Sequence, residues 1–361
     1  MNFILDSENV LAYLARHQLA NFDRQTTSLT RLNAKNFNIL VSSPDRQPLL
    51  VKQGTSDANG QQSDELFTEW QLQQLIDRHS TLSELRDFMP RTLYVDRENS
   101  IVVNHFWETY DDLQAYYDDR QEYDPDIAIE IGHKIGLVHR LTYDRSWQEL
   151  LETTLGQPRN PAQRVVQHLH NLHSGIFGVV PIECCQFYKL YQQYPSLAAA
   201  VDRLAQNHQA CCLAHNDLKL NNLLIHHLET PPTSRIRTID WERARWGDPA
   251  ADLGNLINSY LQLWLENLVV SNELSLQESL QLAIVPLSSL QPVLLALVQS
   301  YRQTFPAIFV DRPDYLSQVL QHAGLSLIRR IEVIIETDLT FDNRGIAMLQ
   351  VAKQLLCNPM A

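Results

Sequence analysis

The stretch that decides the fold runs from Leu213 to Leu256 and reads LAHNDLKLNNLLIHHLETPPTSRIRTIDWERARWGDPAADLGNL. His215, Asp217 and Asn222 form a His-x-Asp-x-x-x-x-Asn cluster, and a second acid, Asp240, follows 18 residues after Asn222. Leu223 to Ile225 and Ile236 to Ile239 are short apolar runs flanking a turn at Glu229 to Ser234, which is the pattern of a hairpin. Such a hairpin brings Asn222 at its entry and Asp240 at its exit to one end, where they can share a metal. Phosphoryl transfer from a nucleotide asks for an acid to orient the acceptor hydroxyl, oxygen ligands for Mg²⁺, a cation for the phosphates and a cover against water. Asp217 suits the first task, and Asn222 and Asp240 are hard oxygen donors of the kind Mg²⁺ takes together with phosphates.

The surrounding chain is large enough to carry such a site. Its 361 residues, 44% hydrophobic, suffice for two lobes with separate cores. The net charge of -13, from 42 acids against 29 bases, lacks the basic face that nucleic acid requires and suits a neutral or cationic small molecule better. Five cysteines stand at 184, 185, 211, 212 and 357 without zinc spacing, and read as reduced residues of a cytoplasmic protein. The start, MNFILDSENVLAYLARHQ, has no basic opening and is expected to be no signal peptide. The apolar runs 253–270 and 290–298 are interrupted or short, so no membrane segment is expected.

Outward from the central stretch, the first hundred residues read mainly as strands. A short helix is expected over 7–20, strands over 28–32, 36–41, 49–52, 92–96 and 100–106, and a helix over 63–79. Glu69, Leu72 and Ile76 share one face of that helix, since i, i+3 and i+7 lie together. A carboxylate on an apolar face calls for a cationic partner, and Lys52, near the end of its strand, is the candidate. From Pro125 the period turns helical, with helices over 127–138, 147–155, 161–173, 185–207, 255–270, 276–284, 288–304, 314–338 and 343–356. The fold class is therefore α+β and bilobal, a small antiparallel-sheet lobe over 1–106 followed by a large helical lobe over 107–361.

These residues resemble the aminoglycoside phosphotransferase and choline kinase family within the protein-kinase-like fold. The match runs over about residues 25–260: Leu50-Val-Lys52, Glu69 in Glu-Trp-Gln-Leu, Val102-Val-Asn-His-Phe106, Gly136-Leu-Val-His-Arg-Leu141, Asp217, Asn222, Asp240 in Ile-Asp-Trp, Gly247-Asp-Pro and Asp252-Leu. The resemblance implies an ATP- and Mg-dependent kinase that phosphorylates a hydroxyl of a small molecule, such as an amino sugar, an amino alcohol or another metabolite. It gives Asp217 the catalytic role, Asn222 and Asp240 the metal, and Lys52 the nucleotide phosphates with Glu69 as its partner. Backbone groups of Asn104, His105 and Phe106 would hold adenine, His215 would steady the catalytic loop, and Asp252 would accept N–H bonds from it. Lys219 is placed against the transferring phosphate, as in protein serine/threonine kinases.

The sequence departs from the family at Arg31 to Phe37, where the phosphate-covering loop has no glycine to let its N–H groups close on phosphate; Asn33 and Asn36 are the polar substitutes. A non-catalytic nucleotide-binding regulator on the same fold is the alternative that this departure carries, and a protein kinase rests on Lys219 alone. Trp241 in place of phenylalanine and the missing Ala-Pro-Glu segment favour a small-molecule acceptor. Residues 108–126 hold eight acids and four tyrosines; they read as a solvated helix or as a pocket for an ammonium group. His168, His170 and His173 do not share a helical face and are not a metal site.

Overall fold

The computed structural model describes residues 3–32, 37–54, 64–170, 185–226, 234–271 and 273–360, and divides them between two compact units. The first joins the N-terminal part of the chain through Asp112 with Leu223–Ala244; the second holds Leu113–Asn222 and Arg245–Ala361. Asn33, Asn36, His173 and most of the turn before Ser234 lie outside the described residues.

In the first unit, helix α1 (Val10–Arg16) precedes strands β1 (Ser28–Leu32), β2 (Phe37–Ser43) and β3 (Arg46–Gln53), a 3₁₀ turn, and helix α2 (Thr68–Arg78); strands β4 (Thr92–Asp96) and β5 (Ile101–His105) follow. The five strands form one antiparallel sheet in the order β1-β2-β3-β5-β4. Side chains alternate across a strand, and the register uses this to separate two faces. Ile39, Val41, Leu49, Val51, Ile101 and Val103 point to one side and join Leu5, Val10, Tyr13 and Leu14 in a single core. Tyr13 Oη donates to Asp96 Oδ2 at 2.9 Å, and Gln53 Oε1 accepts from Leu5 N at 2.8 Å, which fixes α1 against that face. The other face carries Lys52, opposite Asn38 on one neighbour and Val102 on the other, and Leu50 opposite Asn104.

A second, three-stranded sheet in this unit orders β6 (Tyr110–Asp112), β8 (Leu223–His226) and β9 (Ile236–Thr238) as β6-β8-β9. The hairpin expected from the sequence is present, with Leu223 paired to Thr238 and Ile225 to Ile236. Thr238 N and Oγ1 both donate to the Phe88 carbonyl, at 2.8 and 3.1 Å, so the returning segment is sewn to the N-terminal part of the chain.

Among the described residues the strands of the second unit are β7 (Cys212–Ala214) and β10 (Arg245–Gly247), which pair antiparallel, and the rest of its regular structure is helical. Its helices are α3 (Leu113–Arg120), α4 (Pro125–Leu141), α5 (Ser146–Leu155), α6 (Pro161–His170), α7 (Cys185–Gln193), α8 (Pro195–Gln206), α9 (Pro249–Leu265), α10 (Leu276–Gln281), α11 (Leu287–Thr304), α12 (Pro306–Asp311), α13 (Tyr315–Thr337) and α14 (Asn343–Cys357). Ile127, Ile131, Ile135 and Val138 are buried along α4, as their spacing requires. The helix expected over 185–207 is two, because Pro195 has no N–H to continue the first and opens the second instead. Helix α12, also started by a proline, was not expected.

Residues 108–126 are not one solvated helix. Tyr110 to Asp112 form β6, Tyr117 is fully buried in α3 with its hydroxyl 3.3 Å from that of Tyr260, and Arg120 already covers the Tyr116 ring at 4.8 Å. Cys185, Cys211, Cys212 and Cys357 are free, Cys212 buried and the others half-buried. No described helix is long and apolar enough to cross a membrane.

Candidate active site

The candidate catalytic loop, His215 to Asn222, is built in the second unit on a buried carboxylate. Asp252, in the first turn of α9, accepts from His215 N at 2.6 Å through Oδ2 and from Asn216 N at 2.8 Å through Oδ1. His139 Nε2 lies 3.3 Å from Oδ2, while its Nδ1 is 2.8 Å from the Tyr301 hydroxyl, which contacts Tyr315 Oη at 2.8 Å. Burial pushes the Asp252 carboxyl up, but the His139 hydrogen bond, the neighbouring imidazoles and the His215 N–H outweigh it and hold the group below its ordinary value. The two N–H bonds support Asn216 in the left-handed region, φ 62°, a conformation that Asn tolerates better than most residues. The loop then turns so that Asp217 N donates to His215 Nδ1 at 3.3 Å. His215 is 1% exposed and acts as a brace for the loop.

Asp217 itself stays partly open. Its Oδ2 is 3.3 Å from Lys219 Nζ, and both side chains reach solvent. Asn222 closes the loop: its Nδ2 donates to the Asp217 carbonyl at 2.8 Å, so its Oδ1 is the atom left to bind a cation. A hard carboxamide oxygen suits Mg²⁺ or Ca²⁺.

In the first unit, Lys52 Nζ is 3.5 Å from Glu69 Oε2. Burial works against the ammonium charge, but Glu69, Asp240 and Glu242 outweigh it, and the Lys52 pKa is raised. Glu69 has two further donors: Trp241 N reaches Oε1 at 3.0 Å and Asn104 Nδ2 reaches Oε2 at 3.2 Å. Asp240 is left-handed, φ 66°, which turns the chain sharply enough to present the Trp241 N–H to Glu69 while Trp241 Nε1 donates to Thr238 Oγ1 at 2.7 Å. Glu242 has its carboxyl pushed up, by burial first and then by Asp240. Among the described residues no three His, Cys, Asp or Glu side chains converge on a metal position. Mg²⁺ commonly takes one or two protein oxygens and completes its shell with phosphate and water, and the Asn222 carboxamide and the Asp240 carboxylate, each in its own unit, are donors of that kind.

The end of β5 is partly committed. His105 N donates to the Arg91 carbonyl and Phe106 N to the Pro48 carbonyl, both at 3.0 Å. In an antiparallel narrow pair the second bond would return from residue 48 to the Phe106 carbonyl, but Pro48 has no N–H, so that carbonyl receives nothing from β3.

Residues 109–273 match the phosphotransferase enzyme family. The segment contains the whole stretch from Leu213 to Leu256, and the chain resembles the aminoglycoside phosphotransferase and choline kinase group within it. Two solved structures have the same fold. Choline kinase LicA from Streptococcus pneumoniae is 13% identical with a TM-score of 0.51, over 97% of this chain and 98% of that one. Amicoumacin kinase hAmiN, in complex with AMP-PNP, Ca²⁺ and Ami, is 14% identical with a TM-score of 0.52, over 98% of this chain and 93% of that one. These likenesses establish the kinase-like α+β architecture. No curated protein matches the chain in sequence.

Three features of the site were missed from the sequence. Asp248 is gripped by Arg312, Nη1 to Oδ1 at 2.9 Å and Nη2 to Oδ2 at 3.3 Å, with both side chains buried; the partners are too far apart in sequence to be paired by eye. His226 is buried edge-on against Tyr110 at 4.8 Å, a contact between two strands that nothing in its local sequence marks. The Asn104 side chain, which contacts Glu69, was hidden behind the reading of its backbone as an adenine contact.

Proposed function

We propose that the protein is an ATP- and Mg²⁺-dependent phosphotransferase that moves the γ-phosphate to a hydroxyl of a small molecule. The observation that carries this reading is the Asn222 hydrogen bond to the Asp217 carbonyl: it fixes a metal-type oxygen one turn from a carboxylate that remains partly open. The bound nucleotide and metal would supply an activated phosphoryl group with its charge neutralised. The remaining work falls to the chain. Asp217 accepts the hydrogen bond and then the proton of the acceptor hydroxyl, and Lys219 sets the carboxylate's rotamer and offsets charge on the transferring group. Asn222 and Asp240 are the oxygen donors to the metal. Lys52 holds phosphate oxygens, aimed by Glu69, and the Phe106 carbonyl takes the adenine amino group, a contact that a guanine carbonyl would not make.

A coupled ADP-release screen over aminoglycosides, choline, ethanolamine, homoserine and sugars tests the reading and identifies the acceptor. With that acceptor, Asp217→Ala should lower turnover by roughly 10²–10⁴-fold with the melting temperature little changed, and Asp240→Ala should abolish metal-dependent nucleotide binding. Full turnover in Asp217→Ala would refute the assignment. The glycine-free segment at Arg31 to Phe37 favours one second reading, a nucleotide-binding regulator without transfer; it predicts a thermal shift with ATP and Mg²⁺ but no ADP release with any acceptor.

A further inference from the structure

Asn104 lies two residues along β5 from Val102, the partner of Lys52 in the sheet, and pairs with Leu50 across the strands. Its side chain therefore projects from the same face as Lys52. It is 4% exposed, its Nδ2 donates to Glu69 Oε2, and its Oδ1 is buried without a hydrogen-bond partner. Leaving a buried acceptor unsatisfied costs free energy, so the orientation is held by something stronger. A neutral amide donor aimed at a carboxylate is a charge-assisted bond, and turning the carboxamide over would set its oxygen against the Glu69 oxygens. The amide is thus locked by Glu69.

The same Glu69 oxygen, Oε2, receives Lys52, while Oε1 receives the Trp241 N–H. The first bond aims the lysine, the second fixes the residue after Asp240, and neither alone sets the plane of the carboxylate. With Nδ2 of Asn104 as a third donor, the carboxylate cannot rotate about its last torsion without losing a bond. The three donors come from β5, β3 and the segment after β9, so their common acceptor registers these elements on one group.

We propose that Asn104 is a positioning residue of the nucleotide site. Its carboxamide fixes the Glu69 carboxylate and, through it, the directions of Lys52 and of the backbone at Asp240 and Trp241. This rests on the phosphotransferase reading for the identity of the ligand, and not for the geometry.

The test is a double-mutant cycle over the full-length protein: parent, Asn104→Leu, Glu69→Gln and the double variant. Each is measured for AMP-PNP affinity with Mg²⁺ and for thermal midpoint without ligand. Asn104→Leu should weaken AMP-PNP binding roughly ten- to a hundredfold, the size of one hydrogen bond to a charged group. In the Glu69→Gln background the same substitution should change affinity less than threefold, because the group it steadies has already lost its charge. Thermal midpoints locate any general loss of folding and serve to exclude it. Equal losses in both backgrounds, or a lowered midpoint with unchanged affinity, would overturn the proposal. If the parent itself fails to bind AMP-PNP, the phosphotransferase reading falls; the cycle in thermal midpoint then still decides the contact, since additive midpoint losses would show that Asn104 does not act on Glu69.

Discussion

His322 is 2% exposed on α13, with its Nε2 unpartnered. Burial first, then the charges of His208 and Arg312, lower its pKa to about 4 against the opposing pull of Asp248 and Asp252. The folded protein thus keeps this imidazole neutral where the unfolded chain, with a pKa near 6.5, takes a proton. Stability from this group is complete above about pH 6.5, declines as pH falls towards 4 and levels off below it, by roughly 3 kcal/mol in all. Chemical denaturation at pH 7, 5.5 and 4.5 should show this slope, and His322→Gln should flatten it. Other residue-scale facts were open to sequence reading when spacing spoke for them. Glu69 declared itself by sharing a stripe with Leu72 and Ile76, and it does pair with Lys52; the intervals around Asn222 and Asp240 announced the hairpin between them. His322 had no such signal, because its burial comes from α9 packing over it, at Gly254.

Helix α4 packs on α11 so closely that a Cβ built at Gly132 would come within 2.4 Å of the Leu297 carbonyl. Carbonyl oxygens in a helix cannot step aside as a flexible side chain can, so Gly132→Ala should cost about 1–3 kcal/mol and lower the thermal midpoint. Arg312 and Asp248 set a second element-scale dependence. Asp248 caps α9 by accepting from Ala250 N at 3.0 Å and also receives Gln209 N at 2.9 Å. Arg312→Met would leave this carboxylate buried without its main counter-charge, and should destabilise by about 3–5 kcal/mol, measurable as a drop in denaturation midpoint. At this scale the sequence was a good guide to strands and long helices, since period 2 and period 3.6 survive in burial. It was poor where a single proline or a tertiary contact decides. Pro195 splits one apolar pattern into two helices, and the acid- and tyrosine-rich run could not announce that Tyr117 faces inward to meet Tyr260.

For the molecule as a whole, the segment Leu223–Ala244 belongs with residues before 113. Residues 1–112 alone lack β8 and β9, the donors to Phe88 and the Trp241 bond to Glu69. Expressed by themselves they should fail to give a cooperative unfolding transition, a result that circular dichroism on the fragment would check. The sequence could order strands before helices, but its reading along the chain had no way to see this return, because it is made by long-range pairing.

That return also has a consequence in time. A ribosome delivers the chain from its N-terminus at about 5–20 residues per second, and the first unit is not complete until Ala244 has emerged. The early strands must therefore wait on the order of ten seconds, with much of the other unit made in between, before their last partner arrives. During synthesis β6, whose sheet partner is β8, and the Glu69 carboxylate would be held only by local contacts, so this interval is when a chaperone that shields strand edges would have the greatest effect on yield. Slowing translation between residues 112 and 244 should lower the recovered active fraction more than an equal delay after residue 245.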